Sequence, residues 1–457
     1  MAKQAPAEVL KGKASEITAA VESFVETRRA IFVWGPPGLG KSAILKQIAT
    51  DRGIAYIDIR LSQMEPTDLR GIPVPRETNG VMTLSWASPE VLPRDMDIER
   101  VVQTEADGEL VVRVLNPIGD NHIHHVTNPT FKVTGVNGIA AEIVEQGLDY
   151  FRVRTTDASG NPVSAHVRYT ATGKANAILS LEELNSAPPT VQAASYQLTL
   201  DRRLGEYILP EGVFVVAAGN RDDDKGVTFQ MPSPLRNRFC HVEMTHDFDE
   251  WQFWAIASGN VHPEVLGFLT QQPGRLYEFD AKSSSRAFAT PRTWHAVSDF
   301  LNLNANKPVP FTVANFVISG LVGEATATEF MTFRRLADEM PTIENILNGT
   351  DTKLNPKFER DAGMQFMITT NICYKLRDEA NKLSEEAGGK PKEHADYQKW
   401  MARMDRFIGY MIENFKKEIT IMGFRVSIQS YKLPVDLRSG KNVMKFATEM
   451  KSVVINR

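Results

Sequence analysis

Gly35-Pro36-Pro37-Gly38-Leu39-Gly40-Lys41-Ser42 is the stretch that decides the fold. It matches G-x-x-x-x-G-K-[ST], the phosphate-binding loop, at every fixed position. Upstream, Ala30-Ile31-Phe32-Val33-Trp34 is a short apolar run that reads as a buried strand. Downstream, Ser42-Ala43-Ile44-Leu45-Lys46-Gln47-Ile48-Ala49 has helix formers with apolar residues at helical spacing. A strand, a glycine loop and a helix N-terminus gather backbone N–H groups around one point, with the helix dipole behind them. Such a nest suits a polyphosphate. Gly35, Pro36, Pro37, Gly38, Leu39, Gly40, Lys41, Ser42 and Ala43 are therefore read as the nucleotide-binding loop. Lys41 is placed on the β- and γ-phosphates and the Ser42 hydroxyl on Mg2+. The competing reading, a chance glycine-rich turn, is opposed by the flanking strand and helix.

Working outward, Ser15 to Arg29 reads as an amphipathic helix with Ile17, Val21, Phe24 and Val25 on one side. Ile54 to Ile59 is a second strand, which completes a βαβ element and implies a parallel sheet. The stretch from Gly71 to Trp86, with a turn at Thr78-Asn79-Gly80, reads as an excursion or hairpin rather than sheet core. From about Arg94 to Gly173 the texture changes to short alternating runs at 111–115, 130–134, 150–155 and 165–169, separated by turn residues. The α/β pattern resumes with a strand at 177–181, a helix at 189–200 and a strand at 212–218. After about His246 the chain reads as mainly helical, with a polar break at 384–391. The predicted organisation is an α/β domain over 1–93 and 174–245, a β-rich insertion over 94–173, a helical lid over 246–340 and a C-terminal helical extension over 341–457.

The bulk numbers narrow the class. At 457 residues there is room for roughly two to four domains. Hydrophobic content of 42% and charged content of 24% are ordinary for a globular protein. A net charge of −4 gives no electrostatic reason for tight, non-specific nucleic-acid binding. Cys240 and Cys373 stand far apart without metal-ligand spacing, so neither a disulfide framework nor a zinc site is implied. The start, Met1 to Glu8, lacks the apolar core of a signal peptide, and no 18-residue apolar run occurs. A cytoplasmic protein without a membrane span is expected.

A phosphate loop needs further chemistry to make a hydrolase. Ile178-Leu179-Ser180-Leu181-Glu182-Glu183 is an apolar strand ending in two acids. At such a position the first acid holds Mg2+ through its water shell and the second polarises the attacking water. Val213 to Ala218 ends in Gly219-Asn220, a polar amide at a strand tip. Pro234-Leu235-Arg236-Asn237-Arg238-Phe239 offers two guanidinium groups, and Ala289-Thr290-Pro291-Arg292 opens a helix with Arg292 near its start.

Together, in this order, these motifs resemble an AAA+ ATPase of the MoxR-like, dynein-related branch. The residues that carry the resemblance are the loop 35–42, the block Leu181-Glu182-Glu183-Leu184-Asn185-Ser186-Ala187-Pro188-Pro189, Ala217-Ala218-Gly219-Asn220, the run 234–239 and Thr290-Pro291-Arg292. Their order and chemistry fit the family over about residues 15–330, apart from the β-rich insertion. The resemblance implies an ATP- and Mg2+-dependent hydrolase with Glu182 at the Walker B metal position and Glu183 at the catalytic position. Asn220 would be sensor 1, Arg238 the arginine finger reaching a neighbouring subunit, and Arg292 sensor 2, with Arg236 a second intersubunit candidate. It further implies a homo-oligomeric ring, usually hexameric, and a protein partner to remodel, commonly one with a von Willebrand factor A-type domain. A McrB-like nucleic-acid motor using GTP and a slowly hydrolysing nucleotide-gated scaffold are the alternatives.

Two features depart from the pattern. The family has Asp where this chain has Glu182, and it runs from a helix near Ser88–Leu92 into the Walker B strand within a few residues. Here about eighty residues intervene. The hairpin around Pro73 to Trp86 matches the helix-2 insert of the branch, so the β module is an addition. His122, His124 and His125 lack supporting ligands at metal spacing and read as an exposed turn. Trp400, Met404, Phe407, Met411 and Phe415 form a helical stripe, read as core or subunit interface, and Lys225 reads as a solvated loop charge.

Overall fold

The structure is a computed structural model that describes residues 10–78, 80–89, 91–114, 126, 128–147, 150–224, 229–305, 307, 309–337 and 339–449. The chain divides into two compact units, Met1–Thr245 and His246–Arg457. The first opens with β1 (Lys11–Gly12), α1 (Ala14–Val25), β2 (Ala30–Trp34), α2 (Lys41–Asp51) and β3 (Ala55–Arg60). Helix α1 stops short of the predicted Arg29. Thr27 Oγ1 turns back to the Phe24 carbonyl at 2.7 Å and Arg28 takes a left-handed φ of 58°. A short α3 (Pro66–Arg70) leads into the hairpin β4 (Ile72–Thr78) and β5 (Val81–Ala87). No helix is described at Ser88, Pro89, Val91 or Leu92, where Leu92 N–H donates to the Pro89 carbonyl at 3.4 Å.

Among the described residues, six strands then form the insertion: β6 (Met96–Gln103), β7 (Glu109–Arg113), β8 (Thr130–Gly135), β9 (Ala140–Gln146), β10 (Tyr150–Thr156) and β11 (His166–Gly173). They pair antiparallel as β7-β10-β9 and β6-β11-β8 around a shared core that includes Phe131, Phe151, Val153, Val167 and Tyr169. The chain returns through β12 (Asn176–Glu182), α4 (Pro189–Leu200), the small hairpin β13 (Arg203–Leu204) and β14 (Tyr207–Ile208), β15 (Gly212–Gly219), α5 (Ser233–Arg236) and β16 (Phe239–Met244).

Among the described residues the main sheet has six strands, all parallel, in the order β1-β16-β2-β15-β12-β3. Its central strands are covered on both faces, which is why they are continuous apolar runs rather than alternating ones. Phe32, Ile57, Ile59, Leu179, Leu181 and Val215 face a core with Val191, Ala194 and Leu198 of α4. The opposite face, with Tyr56, Ile178, Ser180 and Glu182, is the one on which α2 packs against β3 and β12. Chain direction then separates the two edges. The phosphate loop leaves the C-terminal edge after Trp34, whereas the insertion re-enters β12 at the N-terminal edge, at Asn176. There Lys174 pairs with Asp95 at 2.6 Å, Asp95 accepts the Ala175 N–H at 2.9 Å, and the Tyr207 hydroxyl donates to the Pro93 carbonyl.

The second unit is helical: α6 (Phe248–Ser258), α7 (Pro263–Gln271), α8 (Pro291–Leu303), α9 (Phe311–Val322), α10 (Glu324–Ala337), α11 (Ile343–Asn348), α12 (Ala362–Glu386), α13 (Tyr397–Asn414), α14 (Lys417–Arg425) and α15 (Lys441–Glu449). The predicted lid and extension share one core here, from Leu266, Trp294 and Phe330 to Phe366, Met404, Phe407 and Phe446. The stripe Trp400, Met404, Phe407, Met411 and Phe415 is buried in that core, and Trp400 Nε1 donates to the Leu376 carbonyl at 2.9 Å. No described helix is long and apolar enough to cross a membrane.

Candidate active site

Sheet register brings the separate motifs to one edge. Trp34, the last residue of β2, is level with Gly219 of β15 on one side and Glu243 of β16 on the other. Glu182 is level with Ala218. The phosphate loop, the acid pair and Asn220 therefore leave the sheet side by side at its carboxyl end, where open α/β sheets bind ligands.

The loop owes its shape to its glycines. Gly38 and Gly40 take φ values of 80° and 92°, a region side chains resist, and Gly40 accepts the first helical bond, from Ile44 N–H at 3.0 Å. Helix geometry aims the first N–H groups of such a helix back along its axis toward the loop before it. Lys41 curls over the loop it belongs to. Its ammonium donates to the Gly35 carbonyl at 2.7 Å, the Pro36 carbonyl at 3.1 Å and Asn220 Oδ1 at 3.3 Å.

Both acids are held. Glu182 is 7% exposed and accepts on the same oxygen, Oε1, from Ser180 Oγ at 2.7 Å and the Tyr56 hydroxyl at 3.2 Å. Burial, with the Glu182 and Asp58 carboxylates adding to it, pushes the Tyr56 phenol above its ordinary range, so it stays a donor. Glu183 has a left-handed backbone at φ 57°, ψ 32°, which costs a non-glycine residue on the order of 1–2 kcal/mol. Its carboxylate accepts from Ser62 Oγ, in the turn that follows β3.

Asn185, two residues on, ties the acid loop to the neighbouring strand. Its amide donates to the Asn220 carbonyl at 2.7 Å, and its own carbonyl accepts the Phe229 N–H at 2.7 Å. A Cβ at Gly219 would lie 2.2 Å from Asn185 Oδ1 and 2.8 Å from Phe32 Cζ, so the close approach requires glycine. Arg221, next to Asn220, pairs with Asp224 at 2.7 Å and Glu243 at 3.4 Å; its hydrogen bonds to Asp224 raise its pKa.

The arginines are placed differently from one another. Arg238 is tied within its own chain, donating to the Tyr196 carbonyl at 2.7 Å with its guanidinium over the Tyr196 ring. Arg236 is exposed, while its carbonyl meets His241 Nε2 at 2.7 Å and His241 Nδ1 accepts from Trp34 Nε1 at 2.9 Å. Arg292 belongs to the second unit, exposed at the second position of α8 behind a Thr290–Thr293 capping box. His122, His124, His125 and Lys225 lie outside the described residues.

Sequence reasoning missed Tyr56, Ser62, Ser180 and Arg221. Ser180 could have been suspected, since a residue two before Glu182 in a strand shares its face. Tyr56 and Ser62 sit more than a hundred residues from the acids they hold and carry no local signal. The donor set also bears on the metal. Among the described residues no group of three or more His, Cys, Asp or Glu side chains could hold an ion. Ser42 and Glu182 offer hard oxygen at this edge, which suits Mg2+, an ion that keeps waters and takes most of its remaining ligands from phosphate.

Sheet order, glycine loop and acid pair define the class: an α/β P-loop fold with a helical C-terminal part. No family model and no curated protein matches the sequence. Among solved structures, a candidate ATPase from Cytophaga hutchinsonii aligns with 92% of this chain and 82% of its own, at 11% identity and a TM-score of 0.27. The Thermotoga maritima RuvB Holliday junction branch migration motor aligns with 86% of this chain and 87% of its own, at 12% identity and a TM-score of 0.31. Likenesses this distant are no guide to what the chain does.

Proposed function

We propose that this protein is a MoxR-like AAA+ ATPase that binds Mg-ATP at the edge of its parallel sheet and couples hydrolysis to remodelling of a protein partner. The observation that carries the reading is the Lys41–Asn220 contact of 3.3 Å, with Glu182 and Glu183 leaving the adjacent strand at the same edge. On binding, the Lys41 ammonium exchanges the Gly35 and Pro36 carbonyls for phosphate oxygens. Glu183, released from Ser62, accepts a proton from the attacking water, which Asn220 helps to orient. The Ser42 hydroxyl and Glu182 would hold Mg2+, which would supply charge neutralisation at the phosphates. Lys41 and Arg238 offset the charge that builds on the γ-phosphoryl group, and Arg292 keeps the sensor 2 role that the resemblance implies.

Ring assembly enters through Arg238. In a hexamer it trades the Tyr196 carbonyl for the neighbouring subunit's nucleotide, with exposed Arg236 beside it. The partner, one with a von Willebrand factor A-type domain by resemblance, would be recognised by the β insertion and the C-terminal helices. The test is ATP hydrolysis against protein concentration, with mass photometry, for wild type, Glu183→Gln and Arg238→Ala. Turnover that rises with hexamer formation and vanishes in both variants supports the reading. Nucleotide binding without assembly-dependent turnover overturns the motor and leaves a nucleotide-gated scaffold.

A further inference from the structure

The glutamate at position 182 is one C–C bond, about 1.5 Å, longer than the aspartate of the pattern it resembles, and it has one more torsion to fix. A longer carboxylate in the same strand position carries its oxygens farther from the backbone unless something holds it back. Two side chains do so. Ser180 lies two residues earlier on the same face of β12, and Tyr56, level with Ile178 on β3, shares that face. Both hydroxyls donate to Oε1, at 2.7 and 3.2 Å, and Glu182 is 7% exposed. Two donors on one oxygen fix the end of the side chain and leave Oε2 outside both bonds.

We propose that Tyr56 and Ser180 are positioning residues: a clamp that draws Glu182 back so that it serves Mg-nucleotide as a shorter aspartate would. The proposal rests on the nucleotide reading above. It differs from a purely structural role, in which two hydroxyls only satisfy a buried carboxylate, in one respect. A clamp matters only while residue 182 is glutamate.

The experiment is a double-mutant cycle on the full chain. Tyr56→Phe and Ser180→Ala, singly and together, are made in the natural protein and in the Glu182→Asp background. Mn2+ binding, in the presence of a saturating non-hydrolysable ATP analogue, is read by electron paramagnetic resonance. Affinity for a fluorescent ATP analogue is read in EDTA. With Glu182 present, the pair weakens Mn2+ binding about tenfold, the lower range for groups that orient metal ligands. Metal-free nucleotide affinity stays within about twofold. In the Glu182→Asp background, the pair changes Mn2+ binding by less than about twofold.

An equal loss in both backgrounds overturns the clamp and leaves a structural role, and so does no loss with Glu182 present. Should the pair fail to fold, the single Tyr56→Phe, which keeps the ring's volume, carries the same comparison. The nucleotide reading fails separately: if the natural protein binds no ATP analogue with or without metal, that reading falls and takes the clamp with it.

Discussion

Two kinds of β-structure share the first unit, and they do different work. The parallel sheet is covered on both faces and gathers Lys41, Glu182, Glu183 and Asn220 at its carboxyl edge. The inserted antiparallel sheets bury one face each, own a separate core and attach at the opposite edge. The difference teaches where precision is needed. Residues placed by strand register in a doubly covered sheet cannot shift without moving the core. A module attached through a narrow neck can vary without disturbing them. The comparison predicts that substitutions at the sheet edge act on chemistry, whereas changes in the insertion act on the insertion's own stability or on a partner.

The largest effect belongs to Glu183→Gln. Removing the base while keeping shape should cut ATP turnover by about 10²–10⁴ and leave ATP binding intact. Single-turnover hydrolysis alongside equilibrium binding checks it. Turnover within about tenfold of natural would remove Glu183 from the chemistry and the sheet edge from its assigned role.

Next comes Gly219→Ala. The new Cβ would sit 2.2 Å from Asn185 Oδ1 and 2.8 Å from Phe32 Cζ, against rigid neighbours. A loss of about 1–3 kcal/mol is expected, with Asn220 displaced and turnover lowered as well. Gly160→Ala in the insertion is the control: its φ is 82° but nothing lies within 4 Å of the added carbon. Its cost is about 1 kcal/mol, from the left-handed backbone alone, with no change in turnover. Urea unfolding and steady-state assays on both variants test the contrast, and equal effects on turnover would break it.

The same contrast explains what could be read from the sequence. Strands β2, β12 and β15 were legible because a strand buried on both faces must be apolar throughout, and the phosphate loop and acid pair are local motifs. The hairpin β4–β5 was legible from its turn. Within the insertion, β6 and β9 were not. Met96, Ile98 and Val102 point inward and Asp97 and Glu99 outward, but Arg100 on the inward face and exposed Val101 on the outward one break the alternation. Ala140 to Gln146 contains two glutamates and little apolar length. A half-buried strand needs only every second residue, and one polar interruption hides it. Ser62 and Tyr56 were invisible for another reason: they reach their acids across strands, and no spacing in sequence encodes that.

A smaller effect is expected from Thr155→Val. Thr155 is fully buried in the insertion, and its hydroxyl lies 2.8 Å from Thr104 Oγ1 and 2.5 Å from the Val163 carbonyl. Valine keeps the shape and removes the donor to the Val163 carbonyl, while Thr104 Oγ1 keeps its bonds with Ala165, for a loss of about 1–3 kcal/mol confined to residues 96–173. Hydrogen exchange should show faster opening of β10 and β11, with turnover unchanged. Slower turnover in this variant would mean that the two β-structures are coupled.

The last prediction is that the insertion can be removed. Met96 and Gly173 are ladder partners in β6 and β11, so their Cα atoms lie about 5 Å apart and two glycines span the gap left by excising 96–173. The anchors on the sheet side remain: Lys174 with Asp95, Asp95 with the Ala175 N–H, and Tyr207 with the Pro93 carbonyl. Among the described residues, what leaves with the module is its own core and the Val126–Ala175 bridge. ATP turnover of the excised protein should therefore stay within about threefold of the natural chain, a difference of less than about 1 kcal/mol in the barrier. Binding to whatever the insertion recognises should be lost outright. If turnover instead collapses while ATP still binds, the insertion reaches the chemistry from the far edge of the sheet. Catalysis would then depend on a path through β12, the strand of the parallel sheet that the insertion leads into.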